Sequence, residues 1–278
     1  MITIEQLTPH AIDQMSYNEL IGITRETNRP PGGLESIKLI SRESNITPEH
    51  KILEIGTSTG FTAINLARLT KANILGIDIN QYSLDEAKQR SKSMGVESKT
   101  QFELNDATNL TYPNSTFDMV FCGNVTSYVP NRLKALSEYT RVLKEGGVIA
   151  AIPMYYLKEP SKNLLNRVSE AIKYNISPEY KKDWLDFFNK PELSCFFSED
   201  YKFDSIDEEK IIEFSKNIVS RPHLNAMRKD TKKRLTDKYI QQIKLFGENL
   251  SIMGYTIMLL RKEEFKLDPE LFTSTRIS

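Results

Sequence analysis

Leu53-Glu54-Ile55-Gly56-Thr57-Ser58-Thr59-Gly60-Phe61-Thr62 decides how this chain folds. The apolar run 51–55 (KILEI) ends in a turn of small residues and passes into a segment with Phe61, Ile64, Leu66 and Ala67 near one face. That is a strand entering a helix through a tight turn. Small residues at such a turn let a ligand lie against backbone at the carboxyl end of the strand, where open α/β sheets bind their ligands.

The same rhythm extends outward. The runs 73–79 (NILGIDI), 117–122 (FDMVFC) and 147–152 (GVIAAI) read as strands, and 59–69, 84–94 and 131–143 read as helices between them. Strand, helix, strand in this order predicts a doubly wound parallel sheet with helices on both faces. Upstream, a helix is expected over 13–24. A break follows at Asn28-Arg29-Pro30-Pro31-Gly32-Gly33, and a second helix over 34–44. After Ile152 the rhythm is lost for about a hundred residues rich in Tyr, Phe and Trp, until 254–260 (GYTIMLL) returns as a last strand. An apolar strand that late needs an existing sheet to pair with, so the intervening segment is an insertion. The expected organisation is a helical cap or flap over 1–50, a core over 51–153, a mostly helical, aromatic insertion over 154–250, and a terminal strand and tail over 251–278.

Composition narrows the function classes. The chain has 278 residues, 39% hydrophobic and 27% charged, which fits a folded globular protein. Its 37 basic and 37 acidic side chains give no net field to draw it onto nucleic acid or anionic lipid. The only basic cluster, 228–234 (RKDTKKR), reads as a solvated helix face. No apolar stretch approaches a bilayer span and the start is no leader, so no membrane partner and a cytoplasmic location are expected. Cys122 and Cys195 are the only cysteines and form no CxxC, so neither a disulfide framework nor a zinc site is expected.

Three acids stand at or just beyond successive strand ends. Glu54 sits where a dinucleotide site would bring pyrophosphate, and Ser58 replaces the middle glycine of GxGxxG, so phosphate is disfavoured and a cationic ligand suits better. Asp78, in Gly76-Ile77-Asp78-Ile79-Asn80, can accept both hydroxyls of a ribose. Asp106, in Asn105-Asp106-Ala107, can accept from an exocyclic amine such as that of adenine. Together they describe a site for an adenosine ligand without phosphates.

These residues resemble the class I S-adenosylmethionine-dependent methyltransferases. Residues 54–60 look like that family's first motif, Asp78 like its ribose acid, Asn105-Asp106-Ala107 like its adenine motif, 117–120 like its fourth strand and 141–147 like the turn before its fifth. The resemblance implies a Rossmann-like, seven-stranded sheet with an antiparallel last strand, S-adenosyl-L-methionine as cofactor, and methyl transfer as activity. It implies cofactor contacts from Glu54, Gly56, Thr57, Ser58, Gly60, Asp78, Ile79, Asp106, Ala107 and Asn124. The variant GTSTG also resembles the cation-dependent catechol-type O-methyltransferases. Their metal site needs an acid after the fourth strand, where 121–126 (FCGNVT) offers none, so no metal is expected.

The sulfonium is already activated, so the protein has chiefly to align a nucleophile and exclude water. The resemblance places Asn124, Thr126 and Tyr128 between the methionine moiety and the acceptor. Arg29 and Gly33 are candidates for a flap that closes over the cofactor, with Arg29 meeting a carboxylate of cofactor or substrate, against a plain proline–glycine turn. Tyr17 is a candidate cap over the acceptor, Tyr155 and Tyr156 candidate pocket walls, and His223 a candidate base or substrate contact, against simple packing for each. The expected partner is a small-molecule N or O acceptor under an aromatic cover, with protein or RNA acceptors, or cofactor binding without turnover, as alternatives. Apolar surface on the N-terminal helices and the insertion also offers room for a homodimer.

Overall fold

The computed structural model describes residues 4–263. Helices α1 (Pro9–Gln14), α2 (Tyr17–Thr24) and α3 (Gly33–Glu43) lead into the alternating region: β1 (Lys51–Ile55), α4 (Phe61–Thr70), β2 (Asn73–Asp78), α5 (Gln81–Ser93), β3 (Thr100–Leu104), β4 (Phe117–Gly123), α6 (Arg132–Val142) and β5 (Leu143–Ala151). Then follow β6 (Met154–Tyr156), α7 (Lys162–Ile172), α8 (Lys181–Phe188), β7 (Leu193–Lys202), α9 (Glu208–Val219), α10 (Lys229–Leu250) and β8 (Met253–Lys262). The tail expected over 264–278 lies outside the described residues.

The sheet runs β3-β2-β1-β4-β5-β8-β6, with β7 also paired to β8. Strands β1 to β5 are mutually parallel, and β8 is antiparallel to β5, β6 and β7. The doubly wound frame with an antiparallel last strand is therefore present, with eight strands in place of seven. The extra strand comes from a break. Strand β5 pairs with Met258 to Arg261 and β6 pairs with Met253 to Tyr255, while β7 takes the opposite edge of β8. Strands β5 and β6 thus lie end to end, interrupted at Ile152-Pro153, where proline has no amide to donate. The Pro153 carbonyl still accepts from the Thr256 amide at 3.2 Å.

Alternation along each strand feeds two cores. Ile52 points to the face covered by α3, α4 and α5, with Ile37, Ile64 and Leu84, while Leu53 points to the face covered by α6 and α8, with Leu136, Tyr139, Trp184 and Phe188. Each such aliphatic side chain, fully buried, contributes about 1.5–3 kcal/mol.

The helix expected over 13–24 is two helices. Met15 is extended and Ser16 starts α2 through a capping box: the Glu19 amide donates to Ser16 Oγ at 3.3 Å and the Ser16 amide donates to Glu19 Oε2 at 2.6 Å. Such a cap is worth about 1 kcal/mol and outweighs continuous helix here. A third core then joins the N-terminal helices to the insertion, with Leu7, Ile12 and Leu20 packed on Ile218, Leu224, Leu235 and Tyr239.

Candidate active site

The turn at 56–60 is held open from below. Gly56 (φ +67) sits so close to the segment after β4 that a Cβ would come 2.4 Å from Val125 Cγ2. The Thr57 amide donates to the Ile77 carbonyl at 2.9 Å, which stitches the turn to the end of β2. Ser58 itself adopts positive φ (+48), and its amide donates to Asp78 Oδ2 at 2.8 Å. Gly60 (φ +81) then starts α4.

Glu54 is only 4% exposed and lies beneath this turn. Its Oε2 accepts from Thr57 Oγ1 at 2.6 Å and from the Ala63 amide at 3.0 Å. Burial pushes its carboxyl up to about 7, and the nearby Asp78 charge adds to this, while bonds from Thr57, Thr62 and Ala63 pull it back. Asp78 is half-buried at the lip, its Oδ1 taken by the Asn80 amide at 2.9 Å. Beside it Ile79 is 79% exposed, an apolar shelf with nothing packed on it. Asp106 is exposed, its Oδ1 accepting from the Thr108 amide and hydroxyl at 2.8 and 2.9 Å, and Ala107 is buried behind it. An acid, an exposed aliphatic shelf and a second acid therefore run along the carboxyl edge of β1, β2 and β3.

The N-terminal segment closes the other side. Arg90 of α5 donates to the Arg25 carbonyl at 2.7 Å, Thr27 Oγ1 at 2.8 Å and Thr59 Oγ1 at 3.0 Å. One guanidinium thus clamps residues 25–27 to the turn. Arg29 lies over the Phe61 ring, 5.5 Å from its centroid. Gly33 packs against nothing on its Cβ side, whereas a Cβ at Gly32 (φ +72) would sit 2.5 Å from Tyr255 Oη, so the tight glycine of this turn is Gly32.

The remaining candidates divide. Asn124 uses its Oδ1 to accept from Ser127 Oγ and the Met154 amide, both at 3.0 Å, which leaves its amide NH₂ free of those bonds and able to donate. Tyr128 is 51% exposed and meets Tyr174 edge-on, centroids 5.8 Å apart. Tyr155 and Tyr156 cannot both line one pocket, because neighbours on a strand point to opposite faces. Tyr155 is 3% exposed in the core with Trp184, its hydroxyl within 2.9 Å of Thr256 Oγ1, so it is framework. Tyr156, on the other face, donates to Asn249 Oδ1 at 2.9 Å. His223 Nε2 lies 2.9 Å from the Ile23 carbonyl, a tie to the end of α2. Tyr17 packs on Phe246 at 4.4 Å. Thr59, Arg90 and Glu26 escaped the sequence reading, although Arg25-Glu26-Thr27 stands directly before the proline–glycine break.

The basic cluster is tied down. Arg228 pairs with Asp230 at 2.7 Å and Arg234 pairs with Asp13. Among the described residues no helix is long and apolar enough to cross a membrane. Cys122 is buried, and burial pushes its thiol up to about 12, which keeps it unreactive.

A doubly wound sheet with an antiparallel final strand, a glycine turn and acids at its strand ends defines a nucleoside-binding α/β transferase. Residues 46–220 match the family model described as a methyltransferase domain, and the chain belongs to that family, one of the class I S-adenosylmethionine-dependent methyltransferases. An uncharacterized protein of Haemophilus influenzae is 25% identical over 182 residues, which is 65% of this chain and 72% of that one. Methyltransferase GfsG of Streptomyces halstedii is 33% identical over 106 residues, 38% of each chain. Among solved structures, the MccD protein superimposes with a TM-score of 0.72 at 22% identity over 85% of this chain and all of that one, a likeness of fold.

Proposed function

We propose that the chain transfers a methyl group to a small-molecule N or O nucleophile by in-line displacement and without a metal. The observation that carries this reading is the third core, which joins the N-terminal helices to the insertion, together with the Arg90 clamp that ties this cover to the turn at Thr59. A cover of this kind suits a small acceptor, since pockets for such molecules are enclosed and largely apolar. A polymer needs an open groove.

The residues present fit the cofactor. Asp78 supports the ribose, Ile79 offers apolar area to the base and Asp106 takes its exocyclic amine. The glycine at 56 brings backbone close, and Arg29 is placed to meet the methionine carboxylate. When bound, S-adenosylmethionine supplies a methyl on a sulfonium, already activated toward nucleophiles. The chain's own work is alignment and exclusion of water. Asn124 donates from its amide to hold the acceptor, and Tyr128 and Tyr174 wall the approach. His223, held on the Ile23 carbonyl, serves to fix the cover, and no side chain is required as base where the acceptor presents a free lone pair.

Incubation of the purified chain with methyl-labelled cofactor and fractionated cell extract tests this. Label is expected in the small-molecule fraction. Label confined to protein or RNA would overturn the small-acceptor reading, and cofactor binding with no transfer to any fraction would replace it by a binding module.

A further inference from the structure

Among the described residues four buried side-chain polar atoms make no hydrogen bond, and three of them belong to the cover: Glu26 Oε2, Tyr239 Oη and Gln242 Oε1. Tyr239 and Gln242 lie one turn apart on α10, with Phe246 one turn further along the same face. Tyr17 packs on this face from α2, whose last turn holds the Glu26 amide on the Ile21 carbonyl at 3.0 Å. Its ring centroid lies 4.4 Å from that of Phe246 and 6.5 Å from that of Tyr239. Its phenol, raised well above its usual range by burial, also feels the Glu26 charge. Tyr239 is completely buried.

A buried polar group left without its bond costs about 1–3 kcal/mol, so three within one cover favour a ligand that supplies the missing partners. The chemistry of those atoms defines the ligand. A carboxylate and an amide oxygen only accept, and a tyrosine hydroxyl can accept as well, so the partner must bring several N–H or O–H donors. The carboxylate further favours a cation. Two arginines stand near but face elsewhere. Arg221 donates to the Thr24 and Arg25 carbonyls, and Arg29 lies over Phe61. Burial accordingly holds the Glu26 carboxyl above its usual range, with Arg221 and Arg29 only partly offsetting it.

We propose that this face of the cover receives the amino group of the methyl acceptor, a molecule carrying a primary or secondary ammonium, with Glu26, Gln242 and Tyr239 taking its N–H donors and the Tyr17 and Phe246 rings beside them. This rests on the methyltransferase reading above and names the substrate class for it.

The test is calorimetry on the full chain saturated with S-adenosylhomocysteine, comparing ethanolamine with ethylene glycol and phenethylamine with 2-phenylethanol. At least one amine is expected to bind about tenfold or more tightly than its alcohol, a difference near 1.4 kcal/mol. Glu26→Gln and Gln242→Leu are each expected to erase that preference while still binding S-adenosylhomocysteine as the parent does. No preference for either amine, or a preference that survives both variants, overturns the proposal. Failure of the parent chain to bind S-adenosylhomocysteine overturns the methyltransferase reading itself, and this proposal with it.

Discussion

The Ser58 amide donates to the Asp78 carboxylate at 2.8 Å, so the loop after β1 and the acid ending β2 are one unit. Asp78 shapes the turn and, in the proposed function, is the acceptor for the ribose. Removing it in Asp78→Ala is expected to weaken S-adenosylhomocysteine binding roughly 10- to 100-fold, the worth of a charged hydrogen bond of about 1.5–3 kcal/mol. Isothermal calorimetry reads this directly, and an unchanged dissociation constant would remove Asp78 from the site.

Glu54 makes stability depend on pH with an unusual sign. Its folded value, about 7, lies above the ordinary 4.5, so the folded state holds the proton more tightly than the unfolded chain. The contribution is complete below about 4.5 and is lost as pH rises toward and through about 7. A Glu54→Gln chain keeps an acceptor for Thr57 and Ala63 but has nothing to titrate. Over that window the parent should lose up to roughly 3 kcal/mol relative to this variant in urea unfolding. Parallel pH profiles would refute the assignment.

Gly56 is wedged. Its positive φ and the 2.4 Å approach to Val125 predict that Gly56→Ala shifts the segment after β4. A loss of about 1–3 kcal/mol in unfolding free energy is expected, with weaker cofactor binding. Gly33→Ala meets no neighbouring atom and carries only the strain of its backbone angle, so it should cost less. The ranking of the two midpoints in urea checks the pair.

Arg90 holds Glu86 on its own helix and ties Arg25, Thr27 and Thr59 together, and its removal should loosen the N-terminal segment before anything else. In Arg90→Ala the Arg25 and Glu26 amides, bonded to Gly22 and Ile21, should exchange their hydrogens about tenfold faster or more. Amides in β1 and β4 should be unaffected. Uniform acceleration would mean a global loss of stability in place of local release.

Tyr155 is framework, so Tyr155→Phe should leave turnover unchanged. The loss of the hydroxyl bond to Thr256 should cost about 0.5–1.5 kcal/mol of stability. A large drop in kcat at unchanged stability would return Tyr155 to the pocket.

The fold was legible where local chemistry decides it. The glycine turn at 56–60, the buried alternation of 51–55 and 73–79, and the acids at strand ends all report on neighbours in sequence. Legibility fell where partners are distant or competing caps are subtle. Ser16 and Glu19 split the first helix through two hydrogen bonds that an apolar period does not register. Strand β7, LSCFFSEDYK, has no fully buried residue and owes its conformation to pairing with β8. Tyr155 and Tyr156 looked equivalent until strand geometry sent them to opposite faces. Glu26 and Gln242 stand more than two hundred positions apart, and only the packing of α2 and α10 onto a shared core brings both into one cover.

Strand β8 lies between β5 with β6 on one edge and β7 on the other, though it is made after all three. During synthesis the ribosome therefore releases a half-finished sheet in which the β5 edge turned away from β4 has no mate, and every residue from 154 to 250 must wait beside that sticky border until 253–262 emerges and zips it shut. The last ten residues of the sheet act as a keystone: a nascent chain stalled before them carries the nucleoside-binding turn yet remains open to aggregation.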